Sequence, residues 1–215
     1  MDVLIPWLPS MARGLQTTLW LASVVLVISS IIGAVGGLAI VNGPAPVRAI
    51  LRGYVDIVRG IPILVLLFTV YFGSSAFGSG LDQGQAAVVA LSIFAGAHMT
   101  EIVRGGIGSL PRATIEAAQV IGLTAAQRLR LVVAPLVLPR ILPPWVNTAV
   151  EIVKATSLAS LIGVIDLLYA TNSAIGTAKH PIAFYLTAAA IYFVCGVSLS
   201  RAGALVEQHY RYREY

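Results

Sequence analysis

From Leu15 to Val41 the chain carries no charged side chain, and Leu, Val, Ile, Ala and Gly make up most of the run. A helix that is apolar all round needs a solvent as apolar as itself, and this run is long enough to cross a hydrocarbon layer about 30 Å thick. In such a layer every backbone N–H and C=O must be paired within the protein, which leaves helices or closed barrels. Further apolar runs follow at Ile61–Phe77, Ala86–Val103, Trp145–Leu168 and Ile182–Leu205. Composition agrees: 58% of residues are hydrophobic and 11% charged, against roughly 25% charged in soluble domains. The expected architecture is an all-α membrane protein of about five transmembrane helices, one domain over residues 1–215, with spans at 15–41, 61–77, 86–103, 145–168 and 182–205 and a polar segment at 104–135.

Net charge is +5, but the basic residues punctuate the apolar runs and form no single patch, so they read as orientation signals and not as a nucleic-acid surface. With five spans, one side receives Arg48, Arg52, Arg59, Arg104, Arg112, Arg128, Arg130, Arg140, Arg201, Arg211 and Arg213, and the other Arg13 and Lys179: eleven against two. The positive-inside rule puts the N-terminus outside and the 104–135 segment and the tail in the cytoplasm. The charged and aromatic tail, Glu207–Tyr215, suits an interfacial anchor. The first residues lack the basic n-region of a cleaved signal, so the N-terminus is expected to be retained. Cys195 cannot form an internal disulfide, and His98, His180 and His209 lack metal-ligand spacing, so no metal is expected. Lys154 and Lys179, the only lysines, are not followed by Ser or Thr, which excludes a phosphate-binding loop. No catalytic arrangement is present either, so no enzyme is expected.

The 104–135 segment is patterned. Ser109-Leu110-Pro111 reads as a helix start, Arg112–Ile121 as a short helix and Gly122 as its stop. Thr124 with Gln127 makes a capping box that opens a second short helix through Leu131. Two capped helices meeting at a glycine make a handle for another protein, with Arg128 and Arg130 orienting it; a connector lying on the membrane surface is the alternative. Charges inside the spans carry a cost and imply pairing or a polar path. Glu151 and Lys154, three apart, are placed to pair along one helix, and Glu101 to pair with Arg104 and Arg59. Asp166 either faces a solute cavity, with His98, Thr156, Ser157 and Asn172 completing the lining, or meets water at the interface. Gly33 and Gly37 have the spacing of close helix approach.

Glu116-Ala117-Ala118, then Gly122, then Val132-Val133-Ala134-Pro135 resembles the EAA loop of ATP-binding-cassette importer permeases. Tyr54-Val55-Asp56, Arg59-Gly60-Ile61-Pro62, Tyr71-Phe72-Gly73, Glu101 through Ile107, Leu142-Pro143-Pro144 and Thr156-Ser157-Leu158 are similar to its polar amino-acid branch, which serves histidine, glutamine, arginine and opines. The likeness runs from about Leu15 to Leu205. It implies the type I (MetI-like) permease fold, with Glu116, Ala117, Ala118, Gly122, Thr124 and Arg128 in a cytoplasmic coupling helix seated on an ATPase. It further implies two cytoplasmic ATPase subunits holding ATP and magnesium, a second permease chain (identical or homologous), an extracytoplasmic solute-binding protein, and a bacterial inner-membrane location. No cofactor is expected on this chain itself. Ile61, His98 and Ala155 depart from that branch, which usually has threonine, tyrosine and an acidic residue there; these changes fit pairing with a non-identical permease. A permease for another small solute, an ion-coupled secondary transporter and a scaffold without a pathway are the competing readings.

Overall fold

The computed structural model describes the backbone of residues 3–76, 78 and 80–211, and side chains through residue 208. Phe77, at the expected end of the second span, and most of the tail lie outside them, as do the Arg211 and Arg213 side chains. The described chain is helical: α1 (Leu8–Asn42), α2 (Ala45–Gly60), α3 (Ile63–Ala76), α4 (Gln83–Gly108), α5 (Arg112–Val120), α6 (Ala125–Arg128), α7 (Ala134–Ala155), α8 (Leu167–Ala178) and α9 (Pro181–Arg211). A π turn, Leu129–Val133, joins α6 to α7, and a 3-10 stretch, Thr156–Ile162, follows α7. Four helical rods are long and apolar enough to cross a membrane, and α2 and α3, bent by 108° at Ile61-Pro62, reach that length only when counted together. Large apolar side chains face outward along them, among them Trp20, Val27, Ile31 and Val35 on α1 and Ile182, Leu186 and Phe193 on α9. That is the inverse of a soluble fold and what a lipid solvent selects.

The bundle is built on α1 and α4, which run side by side with almost no space between backbones. A methyl group placed on Gly33 would overlap Met99, on Gly36 it would lie 2.7 Å from Thr100 Oγ1, and on Gly37 2.6 Å from Val103 Cβ. Only glycine permits this approach, and close backbone packing is what holds helices together where no hydrophobic effect separates them from lipid. Around the pair, Leu21, Val25, Leu67, Ala87, Leu91 and Ile152 form the largest core, closed by α3 and the 3-10 stretch.

Several boundaries differ from those expected. α4 begins at Gln83, because Asp82 and Gln85 form a reciprocal capping box: Gln85 N–H donates to Asp82 Oδ1 at 2.8 Å and Asp82 N–H to Gln85 Oε1 at 3.2 Å. It continues to Gly108, so Arg104–Gly108 belongs to a rod and not to the polar segment. The rod expected to start at Trp145 starts at Ala125 and runs unbroken through Pro139, Pro143 and Pro144 to Ile162. Prolines are tolerated in membrane helices because neighbouring groups re-satisfy the freed backbone. That rod ends at Gly163 (φ +96°), short of Leu168, and the stretch between the fourth and fifth expected spans is largely the helix α8.

Candidate functional site

Between α4 and α7 the chain makes an elbow. Ser109 was expected to cap the elbow helix; instead it closes α4, its hydroxyl donating to Gly106 O at 2.7 Å, while Pro111 precedes α5 without a side-chain cap. Arg140 of α7 reaches across and donates to Ser109 O and Oγ at 2.8 and 2.9 Å, fixing where the elbow leaves the bundle. The ending of α5 is a Schellman motif: Gly122 N–H donates to Gln119 O at 2.9 Å and Leu123 N–H to Ala118 O at 3.2 Å. It requires a left-handed residue, and Gly122 supplies it at φ +79°.

Thr124 and Gln127 then form the second capping box, with bonds of 2.9 and 3.3 Å. The helix it opens is not a short one. α6 is the first turn of the 38-residue rod that becomes α7, so the elbow is a short helix hinged onto the end of a membrane span. Five residues of π geometry, Leu129–Val133, sit at the join. Arg128 does not point outward. It donates to Leu123 O at 3.1 Å and braces the elbow from inside.

Ala118 is buried, whereas Glu116 and Ala117 are exposed, and beside them Val120 and Ile121 are 87% and 74% exposed. A carboxylate, a small residue and two apolar side chains thus form the tip. The apolar pair was not singled out from sequence, although two large apolar residues against Gly122 in a polar segment are a readable signal. Behind the tip lies a cavity of about 360 Å³, lined by Leu38, Asn42, Ile107, Ile115, Ala126 and Leu129 among others. The elbow therefore stands off the bundle on one side and is tied to it through Arg140 and the small core of Ile107, Leu110 and Val137.

Among the described residues, none of the five expected path residues lines the elbow cavity, the groove between α7 and α9, or the clefts beside Trp145 and beside Asp82. Thr156 is buried and donates to Val153 O at 2.8 Å, and Ser157 donates to Lys154 O at 2.7 Å. His98 stacks on Phe94 at 4.5 Å, its Nδ1 3.0 Å from Phe94 O. Asn172 is exposed and accepts from the Tyr185 hydroxyl at 2.9 Å. Asp166, read as a cavity or interface charge, has no exposed surface at all. Its Oδ1 accepts from Tyr169 N–H at 2.8 Å and caps α8, while Thr18 Oγ1 accepts from Leu167 N–H beside it at 3.2 Å. The ion pairs also differ in outcome. Glu101 and Arg104 form a two-bonded pair, with Arg104 Nε 2.7 Å from Glu101 Oε2. Among the described residues Arg59 makes no ion pair, and neither do Glu151 and Lys154, both exposed on the surface of α7. Lys154 instead edges a groove between α7 and α9, with Tyr192, Phe193, Gly196 and Arg201.

Residues 26–212 match the family described as the inner membrane component of binding-protein-dependent transport systems. The chain belongs to that family. It is 30% identical to the nopaline transport system permease NocM of Agrobacterium fabrum over 96% of this chain and 90% of the relative. It is 32% identical to the probable glutamine transporter permease GlnP of Bacillus subtilis, over 90% of each. The crystal structure of an amino acid ABC transporter with histidines superposes with a TM-score of 0.89, at 30% identity and 96% coverage of both chains. The inward-facing MetNI methionine transporter, at 22% identity and a TM-score of 0.82, shares the fold over 95% of this chain and 98% of its own. The family permease is thus an all-helical, multi-pass inner-membrane transport subunit, and its fold is the MetI-like one.

Proposed function

We propose that this chain forms half of an import pathway for a polar amino acid or a close derivative such as an opine, and that the Glu116 elbow couples it to a cytoplasmic ATPase. The carrying observation is the elbow itself: a rigidly capped helix pair with an exposed acidic and apolar tip, continuous with a membrane-spanning rod. A force on α5 passes directly into α7. Support for the solute class comes from the nopaline and glutamine permeases and the amino acid transporter with histidines.

Glu151 and Lys154 support pairing with a second permease chain. Exposed charges at membrane depth are costly against lipid, so water or another chain must cover them. The pathway then runs between two such chains, fed by an extracytoplasmic binding protein, with the N-terminus outside and the elbow in the cytoplasm. ATP with its magnesium sits in the partner ATPases, which carry out hydrolysis. Glu116→Lys and Gly122→Val should each abolish ATPase co-purification and ATP-dependent uptake while membrane insertion persists. Normal uptake by both variants overturns the coupling role.

A further inference from the structure

We infer that α2 is an interfacial helix whose Arg48, Arg52 and Arg59 form a site for anionic lipid headgroups. The three residues are four and eleven positions apart, which brings their side chains within about 40° of one another around the helix. All are exposed, and among the described residues none lies within ion-pair distance of a carboxylate, although Glu101 of α4 feels the charge of Arg52 and Arg59 and the exposed Asp56 stands one turn from both.

The rest of α2 is divided in the same way. Val55 and Val58 are buried against the bundle, and the Tyr54 hydroxyl donates to Ile93 O of α4 at 2.7 Å, pinning the helix there. Ile50 and Ile57, on the side away from the arginines, are 71% and 64% exposed. One helix thus presents a protein face, a bare apolar face and a cationic stripe. A wholly submerged helix would not carry the stripe, and a solvated one would not carry the bare isoleucines. An amphipathic helix at the lipid boundary accounts for both, with isoleucines in the acyl region and arginines at phosphate level.

The chain path agrees. α2 starts directly after α1 ends at Asn42, the residue that lines the cavity beneath the elbow, so it lies at the elbow end of the bundle. The 108° turn at Ile61-Pro62 sets it nearly across α3, which packs along the core through Leu67. Arginine suits the ligand, because its planar fork pairs bidentately with phosphate oxygens. The occupant is the headgroup of a bilayer lipid, and the inference does not depend on the elbow's coupling role.

The test uses the full-length permease equilibrated with vesicles of phosphatidylcholine containing about one-third phosphatidylglycerol, with retained lipid counted by native mass spectrometry. Wild-type protein should enrich phosphatidylglycerol about fivefold for each engaged arginine at low salt, and high salt should weaken this. The R48Q/R52Q/R59Q variant should retain as much total lipid with no preference, and R48K/R52K/R59K should keep most of it. A bimane label on an Ile50→Cys, Cys195→Ala protein should be quenched by brominated acyl chains. Undiminished enrichment in the glutamine variant overturns the site. So does an unquenched label, or a glutamine variant that loses only its ATPase partner, which would assign the stripe to a protein interface.

Discussion

Replacing Asp166 separates a capping carboxylate from a solute-binding one. The side chain is fully buried, its Oδ1 caps α8 through Tyr169 N–H, and its Oδ2 lies beside the buried Tyr192 hydroxyl without a hydrogen bond of good geometry. Asparagine caps as well as aspartate, and removing a cap costs about 1 kcal/mol. Burying a carboxylate oxygen unpaired costs a further ~1–3 kcal/mol, which a neutral amide relieves in part. Asp166→Asn should therefore match or exceed the wild type in stability, and Asp166→Ala should fall below Asp166→Asn. For a chain of this size about 1 kcal/mol corresponds to a Tm difference of roughly 2–4 °C. Thermal unfolding of the detergent-purified permease measures this, and uptake by reconstituted vesicles measures function. KM for Asp166→Asn should stay at the wild-type value. A tenfold rise in KM with unchanged Tm would refute the reasoning, because the carboxylate would then be meeting solute.

Two further substitutions probe the fold's mechanical parts. Gly33→Leu drives a side chain into Met99 and should destabilise the α1–α4 pair by at least the roughly 1–3 kcal/mol typical of overpacking, seen as loss of monodisperse protein in detergent. A π turn holds one more residue than an α-helix needs, so deleting exposed Leu131 should convert Leu129–Val133 to α-helix and rotate the elbow against α7. ATP hydrolysis should persist while uptake falls; unchanged uptake would show that the π turn has no part in transmission.

Much of the elbow was written locally. The Thr124–Gln127 box and the Gly122 stop need only neighbouring residues, so capping chemistry placed both correctly. The Glu101–Arg104 pair is local in the same sense, being one helical turn apart. Glu151–Lys154 has the same spacing and does not pair, because spacing permits a contact without deciding where each side chain points.

By itself the sequence determined the class of solvent, the helical character and the existence of an elbow. Lipid cannot hydrogen-bond a backbone, and caps act over three or four residues. Tertiary structure decided that Ser109 closes α4, that Arg128 turns inward, and that a proline-bearing rod runs from Ala125 to Ile162. It also decided that Asp166 is a buried cap against α1. Those outcomes depend on residues distant along the chain, such as Arg140 at Ser109 and Thr18 at Leu167, which meet only once the bundle has packed.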